Sequence, residues 1–110
     1  MQNQGFTEAD WKLFRSRIGG WQENYMEHLC REYDEILAGN GKASDKFWQL
    51  EKRIKTDKRS AGVQCEMKRS NMIYVIVELI GDNAISEDDL EGFSDELRET
   101  IHMFLGRRIE

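Results

Sequence analysis

Apolar side chains recur every three or four positions over the first third of the chain, which is the spacing of one face of an α-helix. Thr7 precedes this stripe and Asp10 follows three residues later, a capping-box pattern that predicts the start of the helix. The stripe keeps its register across Gly19-Gly20, which predicts one long helix that is kinked or weakened there and ends at Gly39. Its members are Trp11, Phe14, Ile18, Trp21, Tyr25, Leu29, Tyr33 and Ile36.

The middle of the chain predicts a second helix and a buried third one. Ser44 is placed to cap a helix that carries Phe47, Leu50 and Ile54 on one face. Residues 63–80 are predicted to form the most buried helix: Val63 and Met67 lead into residues 70–80, which are apolar nearly all round, as expected of a helix surrounded by others. The β-branched residues in this stretch would also suit a central strand, but the sequence offers no second strand to pair with it.

Two more helix starts occupy the last third of the chain. Ser86 with Asp89 predicts a short helical turn, and Ser94 predicts a last helix that Gly106 ends. The 110 residues include no proline, which favours helix throughout. The prediction is therefore a single all-α domain over residues 1–110, a bundle of four main helices plus a short helical turn.

The cysteines and the apolar runs bear on the cellular compartment. Cys30 and Cys65 fit no metal-ligand spacing, so we expect two free thiols in a reducing cytoplasm. The first ten residues lack the basic and apolar regions of a secretory signal. The longest apolar stretch, Met72 to Ile80, contains Glu78 and is far shorter than the roughly 20 residues that a membrane-spanning helix needs. We expect a cytoplasmic protein that does not enter a membrane.

Charge is distributed unevenly along the chain, although the whole carries −5. Residues 51–69 hold seven basic and three acidic side chains, whereas residues 70–110 hold three basic and ten acidic ones. The basic segment 52–69 suggests a nucleic-acid-associated regulator as an alternative function. An acidic inhibitor that mimics DNA with residues 82–99 is a further alternative. The nucleic-acid candidates are Lys58, Arg59, Lys68, Arg69 and Asn71.

Patterns typical of metal sites or catalysis are weak. Glu99 and His102 have the Glu-x-x-His spacing of di-metal bundles, but such a site needs a second copy and two more carboxylates. His28 and Glu32 lie on one helix face without a second ligand cluster. No nucleophile motif or phosphate-binding glycine loop occurs. We therefore predict no enzymatic activity, no metal and no cofactor.

Large aromatic residues are numerous for a chain of this size and suggest contact with a partner. Phe47 and Trp48 are adjacent, so on a helix they point in different directions and one of them should be exposed. The leading prediction is a small protein-interaction module that self-associates through its aromatic-striped first helix. The candidate contact residues are Trp11, Trp21, Phe47 and Trp48.

Four strings of this sequence resemble a known group of proteins. They are FTEADWKLFR at 6–15, FWQLEKRIK at 47–55, RSNMIY at 69–74 and ISEDDLEGFSDEL at 85–97. These strings are similar to a family of short, uncharacterised all-helical proteins of gut Gram-positive bacteria, which often carry an automatic multidrug-transporter label. The resemblance implies a cytoplasmic bacterial protein and carries no activity or ligand, and the transporter label conflicts with the short apolar stretch.

Overall fold

Four α-helices make up most of the chain between Gly5 and Ile109, the range that this computed structural model describes, with side chains to Gly106. They are α1 (Glu8–Ala38), α2 (Ala43–Asp57), α3 (Met72–Gly81) and α4 (Asp95–Ile109). A 3-10 turn, Arg69–Asn71, leads into α3, and a second one, Glu87–Leu90, precedes α4. This range contains no strand, so the predicted all-α class is confirmed.

The long first helix forms as the sequence predicts. The backbone N–H of Asp10 donates to Thr7 Oγ1 at 3.1 Å, and the N–H of Thr7 donates to Asp10 Oδ2 at 2.9 Å, which completes the capping box. The helix continues unbroken through Gly19-Gly20 and ends at Gly39. Its 31 residues span about 46 Å at 1.5 Å per residue.

The hydrophobic core lies at one end of this helix. Trp11, Phe14 and Ile18 on the first half of α1 pack with α3 and α4. The largest fully buried side chains all lie in this part of the molecule, which we call the body: the described residues outside 26–57. They are Phe14, Met72, Ile76, Leu79, Leu90, Leu97 and Ile101.

The distal half of α1 and the whole of α2 form a two-helix projection, residues 26–57, which we call the arm. Leu29 is the one buried side chain of the arm, and α2 contributes none. The molecule measures 60 × 31 × 21 Å, and its radius of gyration is 16.7 Å. A compact chain of this length would give about 13 Å, so the arm makes the molecule elongated.

The predicted helix over 63–80 is wrong at its start. Residues 64–68 are irregular, and the α-helix begins at Met72. Long-range contacts hold the preceding segment in place: Gln22 Nε2 donates to the carbonyl of Ala61 at 3.0 Å, and the N–H of Ala61 donates to Glu78 Oε2 at 3.0 Å. Gly62 packs directly on the Tyr25 ring, where a Cβ atom would overlap it.

Four smaller predictions concern the starts and ends of helices. Ser44 does not cap the second helix, because that helix begins at Ala43 after Lys42, which makes no side-chain cap bond. Gly106 does not end α4, which continues to Ile109, since a helical glycine costs only about 1 kcal/mol. The capping box of Ser86 with Asp89 is confirmed, although it starts a 3-10 turn. Ser94 accepts from the N–H of Leu97 at 3.1 Å, as expected of an N-cap.

Candidate functional site

The two aromatic candidates on the first half of α1 belong to the body. Trp11 is 6% exposed, with its ring centroid 5.9 Å from that of Phe14. Trp21 is half-buried, and its ring lies 6.2 Å from Phe14 and 6.3 Å from Phe93. Both rings are occupied by contacts within the chain, so neither supplies a broad free surface.

The other two candidates lie on the arm and face solvent. Phe47 is 60% exposed and Trp48 is 64% exposed. Their ring centroids are 4.9 Å apart with an interplanar angle of 84°, an edge-to-face pair. Both belong to the first half of α2, near the end of the arm that is farthest from the body.

Helical spacing assigns Phe47 and Trp48 to different faces of α2. The half-buried residues Lys46, Leu50, Arg53 and Asp57 mark the face that meets α1. At 100° per residue, Phe47 and Ile54 lie about 90° from the centre of that face. Trp48 lies on the far side of the helix from α1. The two adjacent aromatic residues therefore belong to two separate surfaces.

Phe47 belongs to what we call the apolar side of the arm: Met26, Cys30 and Leu37 on α1, with Phe47 and Ile54 on α2. Leu37 is 48% exposed and Ile54 39%. An open apolar pocket of about 200 Å³ lies on this side at the base of the arm. Met26, Cys30 and Ile54 line it together with Leu29 and Val63, and its rim includes Tyr33, Asp57 and Lys58. An extended apolar surface of this kind marks a contact site.

Polar contacts between α1 and α2 hold the two helices of the arm together, and two of the residues involved, Tyr33 and Asp57, also border that pocket. Arg53 Nη2 donates to Glu32 Oε1 at 2.6 Å and lies 3.4 Å from Asp57 Oδ2. The Tyr33 hydroxyl donates to Asp57 Oδ2 at 2.6 Å, and the Arg53 guanidinium lies 5.6 Å from the Tyr33 ring centroid. Burial and the hydrogen bond to Asp57 raise the pKa of Tyr33. This network fixes the pairing of α1 with α2 and leaves the apolar side uncovered.

Trp48 belongs to a third surface, the outward face of α2. Trp48, Lys52, Lys55 and Arg59 are spaced i, i+4, i+7 and i+11, so they follow one line along the helix. We call these four residues the basic stripe. All four side chains are exposed. Lys52 and Lys55 belong to the basic segment 52–69 that the sequence indicated, although they were not among its five named nucleic-acid candidates.

The five nucleic-acid candidates divide into two groups. Lys58 and Arg59 lie just after α2, where the carbonyl of Ala61 meets Gln22 of α1. Lys68, Arg69 and Asn71 lie at the other end of the connecting segment, where Arg69 meets Glu8. Gln22 and Glu8 are 14 residues apart, about 21 Å along the helix. The five residues therefore form no single patch.

The second group is largely engaged within the chain. Arg69 makes two bonds to the carboxylate of Glu8, at 2.6 and 3.0 Å, which lower the pKa of Glu8. Lys68 Nζ lies 3.0 Å from Glu66 Oε1. Asn71 Nδ2 donates to the carbonyl of Glu66 at 3.5 Å. Arg69 thus joins the connecting segment to the start of α1, and Lys68 and Asn71 are engaged with Glu66 inside that segment.

The acidic segment 82–99 is partly committed to local structure. Asp82 accepts from the Ser60 hydroxyl at 2.7 Å, Asp89 closes the capping box with Ser86, and Glu87 lies 3.2 Å from His102 Nδ1.

The metal-site candidate His28 bonds to the carbonyl of Asn24. Within the described residues, no three His, Cys, Asp or Glu side chains come together to hold a metal ion. None of the helices between Gly5 and Ile109 is both long and apolar enough to cross a membrane.

Asp10 joins two helices, in addition to the capping role that its sequence position predicts. Its buried carboxylate accepts from the N–H of Ser94 at 2.8 Å and from the Ser94 hydroxyl at 2.6 Å, in addition to the Thr7 N–H. It thereby joins the N-termini of α1 and α4, where helix dipoles favour negative charge. Burial alone would raise the pKa of Asp10, but the hydrogen bonds from Ser94 and Thr7 outweigh it, and the pKa is lowered. Nothing near Asp10 in the sequence indicates its contact with Ser94, which lies 84 residues further along the chain.

This architecture defines the class of protein: an all-α domain with a three-helix body and a projecting two-helix arm. Comparison with protein-family models, with curated proteins and with solved structures finds no match to the chain.

Proposed function

We propose that this protein is a small cytoplasmic, non-enzymatic protein-interaction module that self-associates through the apolar side of the arm. The observation that carries this proposal is Phe47, which is 60% exposed on the same side of the two-helix arm as the exposed Leu37 and Ile54. The sequence predicted self-association through the first helix, whereas the surface proposed here is shared by α1 and α2. Free Cys30 and Cys65 support a reducing compartment.

A second copy of this chain is the occupant that the arm fits best. A two-helix hairpin buries one stripe on each helix, and stacking a second hairpin on the same side yields a four-helix bundle. In the arm, residues 26–38 hold four acidic side chains and one basic one, whereas residues 42–57 hold five basic and three acidic ones. Placing α1 of one copy over α2 of the other therefore brings opposite charges together.

The size of the apolar side limits the strength of this association. The 15 residues of α2 span about 22 Å, and two helices side by side are about 20 Å wide. The flat contact is therefore on the order of 450 Å² per copy, below the roughly 800 Å² per partner of standard interfaces. We expect a weak dimer, with a dissociation constant in the micromolar range or above.

Sedimentation equilibrium over micromolar to millimolar protein tests the proposal. Wild type should show concentration-dependent dimerisation, and Phe47→Ala should weaken it about tenfold because it removes the largest exposed apolar side chain on that side of the arm. Trp48→Ala is the matched control, since its neighbouring ring lies on another face and should leave the dimer unchanged. Circular dichroism should show wild-type helicity for both variants. A protein that stays monomeric throughout, or a dimer unaffected by Phe47→Ala, would contradict the proposal.

A further inference from the structure

We infer that the basic stripe, Trp48 with Lys52, Lys55 and Arg59, binds single-stranded nucleic acid, with the three cations on phosphates and the indole stacked on a base. This surface is distinct from the apolar side of the arm. The inference therefore does not depend on self-association.

The geometry of α2 places these four residues in one line. Eleven residues separate Trp48 from Arg59, a length of about 16 Å. Although α2 ends at Asp57, Lys58 keeps helical backbone angles of φ −61° and ψ −18°, which continues the line to Arg59. The stripe is straight and short, so it matches a strand segment of a few nucleotides rather than a groove of a duplex.

The charges of the stripe are free for an outside partner. Among the described side chains, Lys52, Lys55 and Arg59 take part in none of the ion pairs, unlike Arg53 and Arg69. The nearest acidic positions on α2 are Asp45 and Glu51, which helical spacing places at the two margins of the stripe. A positive local field thus persists on a chain of net charge −5.

Trp48 selects a nucleic acid over other polyanions. Its indole is 64% exposed at the end of a row of cations. An exposed aromatic ring beside basic side chains is the arrangement by which proteins bind unpaired bases, because every base offers a stacking face. An acidic peptide would use the cations and gain little from the indole.

Fluorescence anisotropy of a labelled oligothymidylate, titrated with protein at several salt concentrations, tests the inference. Three phosphate contacts predict a slope of about −2 for log affinity against log salt. Lys52→Ala/Lys55→Ala/Arg59→Ala should remove this slope and most of the binding. Trp48→Ala should lower affinity at least about fivefold while the slope stays the same. Phe47→Ala should change neither quantity.

The matched control carries the same loss of charge elsewhere on the surface. Lys12→Ala/Arg15→Ala/Arg98→Ala removes three exposed cations from α1 and α4 and should bind as wild type does. Absence of binding at low salt would overturn the inference, as would equal weakening by the two triple variants. Equal binding of polyglutamate or of anionic lipid vesicles, unaffected by Trp48→Ala, would also overturn it, because the stripe would then be a general anion surface.

Discussion

The body and the arm are built from the same long helix but bury it in different ways. In the body, Trp11, Phe14 and Ile18 of α1 meet α3 and α4, and Ile76 and Leu97 are fully enclosed. In the arm, the same helix meets only α2 as a packed helix, and Leu29 is its one buried side chain. Apolar burial is the main source of folding free energy, so the body supplies most of the stability. The arm supplies the exposed surfaces on which both proposals rest.

The largest effect that separates the two regions is the loss of a core side chain. Ile76→Ala in the body should lower the free energy of unfolding by about 3–4 kcal/mol, because the fully buried site loses both transfer energy and packing. Leu50→Ala on the half-buried face of α2 should lower it by about 1 kcal/mol. Chemical denaturation measures both values. Equal losses would contradict the unequal division of stability between body and arm.

A smaller effect concerns Asp10, which ties two helices of the body together. Asp10→Asn should destabilise the fold by about 1.5–3 kcal/mol at neutral pH, because it weakens charge-assisted bonds to Ser94. The pKa of Asp10 is lowered in the folded state, so its contribution is present above the ordinary aspartate pKa and disappears as pH falls through the folded value.

Denaturation at several pH values should therefore show wild type and Asp10→Asn converging in acid. Asp88→Asn on the exposed 3-10 turn serves as a control and should change stability little at any pH. A constant difference between wild type and Asp10→Asn across the acid range would show that the carboxylate charge contributes nothing.

The smallest expected effect on stability concerns Gly19, in the part of α1 that leads from the core toward the arm. A Cβ atom there would meet nothing within 4 Å, and the helix runs through it without a break. Gly19→Ala should raise the free energy of unfolding by about 0.5–1 kcal/mol, because alanine loses less backbone entropy in a helix. Thermal melts measure the gain. Lower stability in the variant would indicate that α1 bends at this position, so that body and arm are not joined by a rigid helix.

Sequence alone predicts the parts of this fold that depend on near neighbours. The capping boxes of Thr7 and Ser86 and the passage of α1 through Gly19-Gly20 follow from local spacing and propensity. The irregular segment before Met72 does not, because Val63 and Met67 continue the helical spacing of the apolar residues that follow. Contacts of that segment with Gln22 and Tyr25, about 40 residues away, decide its conformation.

The exposed surfaces of the arm can likewise be predicted only in part from the sequence. Adjacent positions on a helix already place Phe47 and Trp48 on different faces, and spacing alone relates Trp48 to Lys52 and Lys55. The sequence does not reveal that α2 projects beyond the core, because the apolar positions Phe47, Leu50 and Ile54 read as a core-facing stripe. Which helices cover that stripe depends on tertiary contacts that no local pattern encodes.

Hydrogen–deuterium exchange at low and high protein concentration tests most directly whether the arm is the site of self-association. At low concentration, the amides of α2 should exchange much faster than those of α3, because α2 has one partner helix and α3 is enclosed. At high concentration, exchange in α2 should slow while exchange in α3 stays the same, and Phe47→Ala should need about tenfold more protein for the same change. Protection of α2 that equals that of α3 and does not vary with concentration would contradict the account.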